Sequence, residues 1–174
     1  MVVLSVALVI FLADRVSSGV FKPLFHRFRP SHEPTLEGLV HLVNGYAGGR
    51  YGFISSHAAN TFGVATFLGL LMRSSRMTTV LFCWACLSSY SRIYLGVHYP
   101  FDILAGATWG CIAGTSVYAL HRYLSRKYAS SNATWSYKTT TSGYHLSDIN
   151  WFIALFCMTI AMVALSSALA IPLA

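Results

Sequence analysis

Long apolar segments that contain almost no charge constrain this chain more than any other feature of its sequence. Of its residues 55% are hydrophobic and only 10% are charged, whereas a soluble globular domain carries about 25% charged residues. An α-helix needs about 20 apolar residues to cross the hydrocarbon core of a bilayer. The chain is therefore predicted to be all-α, a polytopic transmembrane helical bundle with about five spans. The predicted spans are residues 1–21, 55–72, 77–98, 101–120 and 149–171.

Two long polar connections separate these predicted spans. Residues 31–54 carry apolar side chains at positions 36, 39, 40 and 43, a spacing that favours an interfacial loop or a short amphipathic helix. Residues 121–148 are rich in Ser, Thr, Tyr and basic residues and are predicted to form a polar loop. Because no internal repeat divides the chain, residues 1–174 are interpreted as a single domain.

The distribution of charge narrows the possible partners and the orientation. The net charge is +7, but no contiguous basic face is visible, which argues against a nucleic-acid-binding protein. If the spans alternate, the turn at 73–76 and the 121–148 loop share one face. That face carries Arg73, Arg76, Arg122, Arg126, Lys127 and Lys138. The positive-inside rule assigns this face to the cytoplasm and residues 22–54 to the outer face.

Two polar clusters fall at the predicted outer face. Lys22 and Arg29 stand seven residues apart after the first span. Ser55, Ser56 and His57 lie where a glycine-rich approach meets the start of an apolar helix. A helix start presents free N–H groups and a partial positive charge, which suits a phosphate oxygen.

A third cluster joins the end of one predicted helix to the start of the next. Pro100 suits the first turn of a helix, so the chain is expected to reverse between His98 and Asp102. A carboxylate so close can accept the far N–H of the imidazole, fix its tautomer and raise its basicity. His98 is therefore a candidate nucleophile, with Arg92 as a nearby cation that needs a partner.

Structural roles remain open for each cluster taken alone. Lys22, Arg27 and Arg29 are equally consistent with interfacial anchors that extend to lipid headgroups. A purely structural network of an arginine, a histidine and an aspartate is also possible in the third cluster. Such roles leave the joint pattern of the three clusters unexplained.

The joint pattern resembles that of a known enzyme family. Lys-x6-Arg-Pro, Ser-x-His and Ser-Arg-x5-His-x3-Asp, all within residues 22–102, are similar to the motifs of the type 2 phosphatidic acid phosphatase superfamily. The resemblance implies a metal-independent phosphatase without a cofactor. His98 would form a phosphohistidine, Asp102 would orient it, and His57 would protonate the leaving oxygen. The residues that would hold the phosphoryl oxygens are Lys22, Arg29, Arg92, Ser55 and Ser56.

Two departures from the family pattern stand out. Ser56 occupies the place where the family usually has glycine, and we expect it to serve simply as a residue of the helix start. Membrane members of the family usually have six spans, with the first motif after the third span. Here the first motif follows one predicted span, as if two N-terminal helices were missing.

These features predict an integral-membrane phosphohydrolase with a lipid phosphate or diphosphate as its substrate, such as undecaprenyl diphosphate or a phosphatidic-type lipid. The predicted location is the bacterial inner membrane, with the site on the periplasmic face. One alternative is a lipid A phosphatase or phosphotransferase, which would use the same site. An alternative of another class is a non-catalytic anion-binding membrane protein or transporter.

Overall fold

The computed structural model describes residues 1–128, 140 and 142–169. Within these residues the secondary structure is helical, apart from one isolated β-bridge between Phe28 and Tyr51. One short helix, α2 (Lys22–Phe25), accompanies five long ones. The long helices are α1 (Val2–Val16), α3 (Ser56–Met72), α4 (Ser75–Tyr94), α5 (Pro100–Tyr128) and α6 (Leu146–Leu169).

The five long helices correspond to the five predicted spans, and the all-α prediction is confirmed. Three described helical segments are long and apolar enough to cross a membrane: Val2–Phe25, Pro100–Lys127 and Leu146–Ser166. The α3 helix has 17 residues and is about 25 Å long at 1.5 Å per residue, slightly less than the hydrocarbon thickness. The α4 helix carries Arg76 and Arg92 near its two ends.

The first helix continues past the predicted end of its span. A π-helical turn over Ser17–Phe21 joins α1 to α2 without a break. The wider turn accommodates Pro23, which has no N–H to donate back along the helix. The helix then ends at His26, whose backbone is left-handed with φ 47°. Lys22 therefore lies on the helix, whereas Arg29 lies in the loop after it.

Close approach of α3 and α5 fixes the centre of the bundle. Gly106, Gly110 and Gly114 repeat every fourth residue on α5, so they share one face of the helix. A Cβ atom at any of them would overlap a backbone carbonyl oxygen near or within α3, that of Ser55, Ala59 or Gly63 respectively. This arrangement matches the small-residue packing typical of membrane helices. It brings the start of α3 beside the start of α5.

The connection between α4 and α5 is tight. The α4 helix ends at Tyr94, and Gly96 takes a left-handed backbone with φ +67° that glycine adopts at little cost. The next helix begins at Pro100, as predicted. His98 therefore lies in a short loop between two helices and not within the predicted span 77–98.

The loop between α2 and α3 is irregular. Three 3-10 turns cover Pro30–His32, Pro34–Leu36 and Val43–Gly45, so the structure forms a loop here and not the amphipathic α-helix suggested by positions 36 to 43. Leu39 is 78% exposed. Gly38 and Gly45 have positive φ angles of 77° and 70°, which lie outside the range of a right-handed α-helix.

The α5 helix extends to Tyr128, inside the segment predicted to be a polar loop. Residues 129–139 and 141, including Lys138, lie outside the described residues. The last helix begins at Leu146, and the part of the predicted final span beyond residue 169 also lies outside them.

The packing of α5 on α3 predicts that Gly110→Ala destabilises the protein. The new methyl group would overlap the carbonyl oxygen of Ala59 and lie 2.9 Å from the nitrogen of Gly63, and such overpacking costs about 1–3 kcal/mol. The measurement is the thermal unfolding midpoint in detergent. Gly19→Ala is the matched control, because nothing lies within 4 Å of a Cβ at Gly19. Equal midpoints for the two variants would contradict the prediction.

Candidate active site

A buried carboxylate lies at the centre of the residues identified from the sequence. Asp102, in the first turn of α5, has 0% exposure. Its Oδ2 accepts a hydrogen bond of 2.9 Å from the backbone N–H of Tyr99 and lies 3.5 Å from Nδ1 of His98. The predicted pairing of His98 with Asp102 is thus present at ion-pair distance, with Nδ1 as the nitrogen that faces the carboxylate.

His98 is buried to 4% exposure. Burial lowers the pKa of its imidazole below the ordinary 6.5. The carboxylate of Asp102 opposes this shift, whereas the charges of Arg29 and Lys22 add to it. The imidazole is therefore neutral at neutral pH, and Nε2 is the nitrogen left available for attack.

The second partner of Asp102 is Arg27, which the sequence motifs did not assign to the site. Nη1 of Arg27 donates to Oδ1 of Asp102 at 3.0 Å. The guanidinium of Arg27 lies over the ring of Tyr99, with 4.4 Å from Cζ to the ring centre. The interpretation of Arg27 as an interfacial anchor therefore misses its main contact. Its position two residues before Arg29 is the one signal in the sequence that could have suggested it.

Lys22 reaches the site through a cluster of hydroxyl groups. Its Nζ donates to Oγ of Ser56 at 2.9 Å and to Oγ of Ser18 at 3.2 Å. Oγ of Ser56 also accepts from Oγ of Ser17 at 2.9 Å and lies 3.0 Å from Oγ of Ser18. These three neighbours therefore occupy the hydrogen-bonding capacity of the Ser56 hydroxyl. The hydroxyl in turn holds Lys22 in place.

Ser55 and Ser56 begin α3, as the sequence predicted. Ser55 is the N-cap, and its side chain accepts from the N–H of Ala58 at 3.4 Å. Its own N–H donates to the backbone oxygen of Asp102 at 3.0 Å, which ties the two helix starts together. Ser56 is not among the residues with positive φ, so serine fits here without strain. First-turn N–H groups have no acceptor within a helix.

Arg29 is held by a small piece of paired backbone. Its N–H donates to the oxygen of Arg50 at 3.1 Å, and the N–H of Gly52 donates to the oxygen of Arg27 at 2.9 Å. Nε of Arg29 donates to the oxygen of Tyr51 at 3.2 Å. Gly48 has φ +67°, and a Cβ there would lie 2.5 Å from Nη1 of Arg29. The loop therefore leaves room for this guanidinium.

Arg92 lies in the last turn of α4. Its Nε is buried, and no described residue accepts a hydrogen bond from it. A buried N–H without an acceptor costs free energy. Nε of Arg92 is therefore available to bind an anion.

His57 connects the separate pieces of the site. The side chain is exposed in the first turn of α3. It lies within electrostatic range of four other predicted site residues: Arg92, His98, Arg29 and Lys22. The structure therefore brings the three sequence clusters together at the start of α3 and α5.

The charge of this site is strongly positive. Among the described residues, Lys22, Arg29 and Arg92 form no ion pair with a carboxylate, and the carboxylate of Asp102 is taken by Arg27 and the N–H of Tyr99. No group of three or more His, Cys, Asp or Glu side chains that could hold a metal occurs in the described part of the chain. Three cations and a helix start can bind a tetrahedral oxyanion such as phosphate.

The contact of Ser56 with Lys22 predicts that Ser56→Ala weakens anion binding. The change leaves the backbone N–H groups in place but removes an acceptor of the ammonium, and a hydrogen bond to a charged group contributes about 1.5–3 kcal/mol. We expect about tenfold weaker binding of orthovanadate by titration calorimetry. Ser166→Ala is the matched control, since Oγ of Ser166 donates only to the oxygen of Val163. Unchanged affinity in Ser56→Ala would refute the positioning of Lys22 by this hydroxyl.

Comparison with known proteins supports the resemblance seen in the motifs. The family model described as the PAP2 superfamily matches residues 2–126. A lipid A 4'-phosphatase of Porphyromonas gingivalis is 36% identical over 160 residues, which cover 89% of this chain and 68% of the relative. A lipid A 4'-phosphatase of Bacteroides thetaiotaomicron is 42% identical over 126 residues, covering 72% of this chain and 56% of the relative. No solved structure matches the chain.

The chain thus spans about two thirds of the length of one relative and just over half of the other. The family match covers all three motif clusters and the helices that carry them. With its membrane-spanning helices, the chain is an integral membrane protein, and it belongs to the PAP2 superfamily of phosphatases.

Proposed function

We propose that the protein removes a phosphate from a lipid, with His98 as the nucleophile. The observation that carries the proposal is that three cations, none of them ion-paired with a carboxylate in the described part of the chain, converge on a histidine that faces a buried aspartate. Lys22, Arg29 and Arg92 offer positive charge to an anion. Asp102 faces Nδ1 of His98 at 3.5 Å, which leaves Nε2 for the reaction.

The proposed reaction proceeds in two displacements. Nε2 of His98 attacks phosphorus, and the bond from phosphorus to the leaving oxygen breaks while His57 gives that oxygen a proton. A water molecule then attacks the phosphohistidine as His57 accepts a proton from it. Inorganic phosphate leaves and His98 is regenerated. Asp102 holds the imidazole with Nε2 free to attack and stabilises the positive charge that it gains.

The cations account for the rest of the proposed chemistry. Phosphoryl transfer spreads negative charge over the non-bridging oxygens, and positioned donors stabilise that charge. The guanidiniums of Arg29 and Arg92, the ammonium of Lys22 and the free N–H groups at the start of α3 supply such donors. We therefore propose that no metal takes part.

The relatives favour lipid A as the substrate. Both are named lipid A 4'-phosphatase, and this favours the alternative over undecaprenyl diphosphate or a phosphatidic-type lipid. We therefore propose the 4'-phosphate of a lipid A as the group that is removed. The other two lipids remain the comparison substrates.

Aromatic rings beside the site support a position at the membrane interface. Phe25 and Phe101 are 53% and 61% exposed, and Phe53 packs against both, with ring centres 4.7 Å and 6.0 Å away. Aromatic side chains concentrate at the level of lipid headgroups. The opposite end of the bundle carries Arg73 and Arg122, which line one cavity. By the positive-inside rule we propose that the site faces the periplasm.

The proposed reaction predicts which phosphate is released. Purified protein in lipid nanodiscs is offered lipid A that is phosphorylated at the 4' position only, lipid A phosphorylated at the 1 position only, undecaprenyl diphosphate and phosphatidic acid. We expect inorganic phosphate from the first substrate. His98→Gln should lower its release by about 10³-fold or more, because the variant lacks the nucleophile. In the wild type, the phosphohistidine should be detectable as covalently bound phosphate that acid releases.

His41→Gln is the matched control for that experiment, because His41 is an exposed histidine of the loop. Release only from undecaprenyl diphosphate or phosphatidic acid would reject lipid A and keep the lipid phosphatase. Anion binding without phosphate release from any lipid would favour the non-catalytic alternative. Full activity in His98→Gln would reject the nucleophile.

The pKa of His98 predicts the acid side of the pH profile. Only the neutral imidazole can attack, so activity falls as the pH drops through this pKa, which burial holds below 6.5. The acid limb of kcat/KM, which reports the free enzyme, should therefore have its midpoint below pH 6.5. A phosphate monoester has its own second pKa at about 6, so the titration of the substrate is recorded beside the rate profile. A midpoint above pH 6.5 that the titration of the substrate does not explain would contradict the assignment of His98 as the nucleophile.

A further inference from the structure

We infer that Arg27 is a positioning residue that shares the carboxylate of Asp102 with His98 and so controls how firmly that carboxylate holds the imidazole. The inference deepens the proposed function and rests on it for the role of His98. Arg27 does not belong to the motif residues identified in the sequence. Its place in the site follows from contacts made by the folded chain.

The contacts divide the carboxylate between two partners. Oδ1 of Asp102 accepts from Nη1 of Arg27 at 3.0 Å, whereas Oδ2 lies 3.5 Å from Nδ1 of His98. Nδ1 of His98 is buried and has no hydrogen-bond partner among the described residues. The arginine thus holds the better hydrogen bond, and the histidine holds the longer contact. A change in one contact must alter the other, because both draw on one charge.

Arg27 is itself held from two directions. Its guanidinium lies 4.4 Å from the ring centre of Tyr99, and the N–H of Tyr99 donates to Oδ2 of the same aspartate. The backbone oxygen of Arg27 accepts from Gly52 at 2.9 Å. The Arg27 side chain is 40% exposed and that of Asp102 is 0% exposed, so the arginine links a buried charge to the water-facing loop. A buried charge without a partner costs free energy, and Arg27 supplies that partner.

Several other charged or titratable groups lie near His98 and Asp102. His57 of α3 and Arg92 of α4 act on the site from two helices, and Lys22 and Arg29 act from α2 and its following loop. Tyr99 is in electrostatic range of Glu33, Arg27 and Asp102. None of the other cations forms an ion pair with Asp102 in the described structure. Arg27 is thus the cation whose removal changes the carboxylate most.

Loss of the Arg27 charge should make His98 take up a proton at higher pH. Without Arg27, the contacts left to the carboxylate of Asp102 are the N–H of Tyr99 and Nδ1 of His98, with Arg29 at electrostatic range. The carboxylate then acts more strongly on the imidazole and favours its protonated form. The neutral imidazole that attacks is therefore lost at a higher pH than in the wild type.

The test compares Arg27→Gln, Arg27→Lys and the full wild-type chain in nanodiscs. Arg27→Gln should lower kcat by about 10- to 100-fold, as the loss of an orienting partner does at other sites, and should move the acid limb up by about one pH unit. Arg27→Lys keeps the charge and should keep the acid limb of the wild type. Arg50→Gln is the matched control, since Arg50 is exposed in the same loop and contacts the rings of Phe28 and Tyr51.

A second readout does not need turnover. The imidazole of His98 is followed by nitrogen NMR of labelled histidine, assigned with His98→Gln, over the same pH range. Arg27→Gln should shift this titration up by about one unit relative to Arg50→Gln. A titration identical to that of Arg50→Gln would overturn the inference. Failure of the wild type to release phosphate from any lipid would instead contradict the proposed function, while the NMR comparison would still decide the role of Arg27.

A milder variant covers the case in which Arg27→Gln does not fold. Tyr99→Leu keeps Arg27 and the backbone N–H of residue 99 but removes the ring beneath the guanidinium. It should move the titration of His98 in the same direction by a smaller amount. If Tyr99→Leu titrates like the wild type when Arg27→Gln is not recovered folded, the inference fails.

Discussion

Backbone contact between α3 and α5 is the constraint on which the site depends. The glycines at 106, 110 and 114 let the two helices approach until their carbonyl groups leave no room for a side chain. The N–H of Ser55 then donates to the backbone oxygen of Asp102 at 3.0 Å. Since His57 is in the first turn of α3 and Asp102 in the first turn of α5, this contact fixes the proposed acid relative to the carboxylate that faces the proposed nucleophile, His98. A wider spacing would separate two groups that act on the same phosphate in the proposed reaction.

The charges around this contact favour an anionic ligand. The buried carboxylate of Asp102 is occupied by Arg27 and a backbone N–H, and within the described residues it forms no ion pair with Lys22, Arg29 or Arg92. Repulsion between these three cations favours a ligand with two or more negative charges. Lys22 and Arg29 donate hydrogen bonds to neutral hydroxyl and carbonyl groups. These neutral groups fix the two cations without reducing their charge.

The sequence predicts the helices well and locates the motif residues near their ends, because both signals are local. Long apolar runs require helices in a membrane, and Pro100 and Ser55 mark helix starts by their own chemistry. The contacts of Arg27, Ser17 and Ser18 were not predicted, since they depend on how α1 and the loop fold against α3 and α5. The glycine spacing on α5 was readable in the sequence, but the helix against which it packs was not. The loop was harder still, because the apolar spacing at 36 to 43 suggested a helix that the positive φ of Gly38 interrupts.

Ser56 shows how a departure from a family pattern can be absorbed. Glycine at this position would offer only its backbone to the site, whereas serine adds a hydroxyl that meets Lys22 and two serines at the π-helical turn. That turn places Ser17 and Ser18 on the side of the helix that faces α3, one turn before Lys22. The π-helical turn, Ser56 and Lys22 therefore form one hydrogen-bonded cluster. A change of residue in the second motif is matched by contacts from the helix that carries the first.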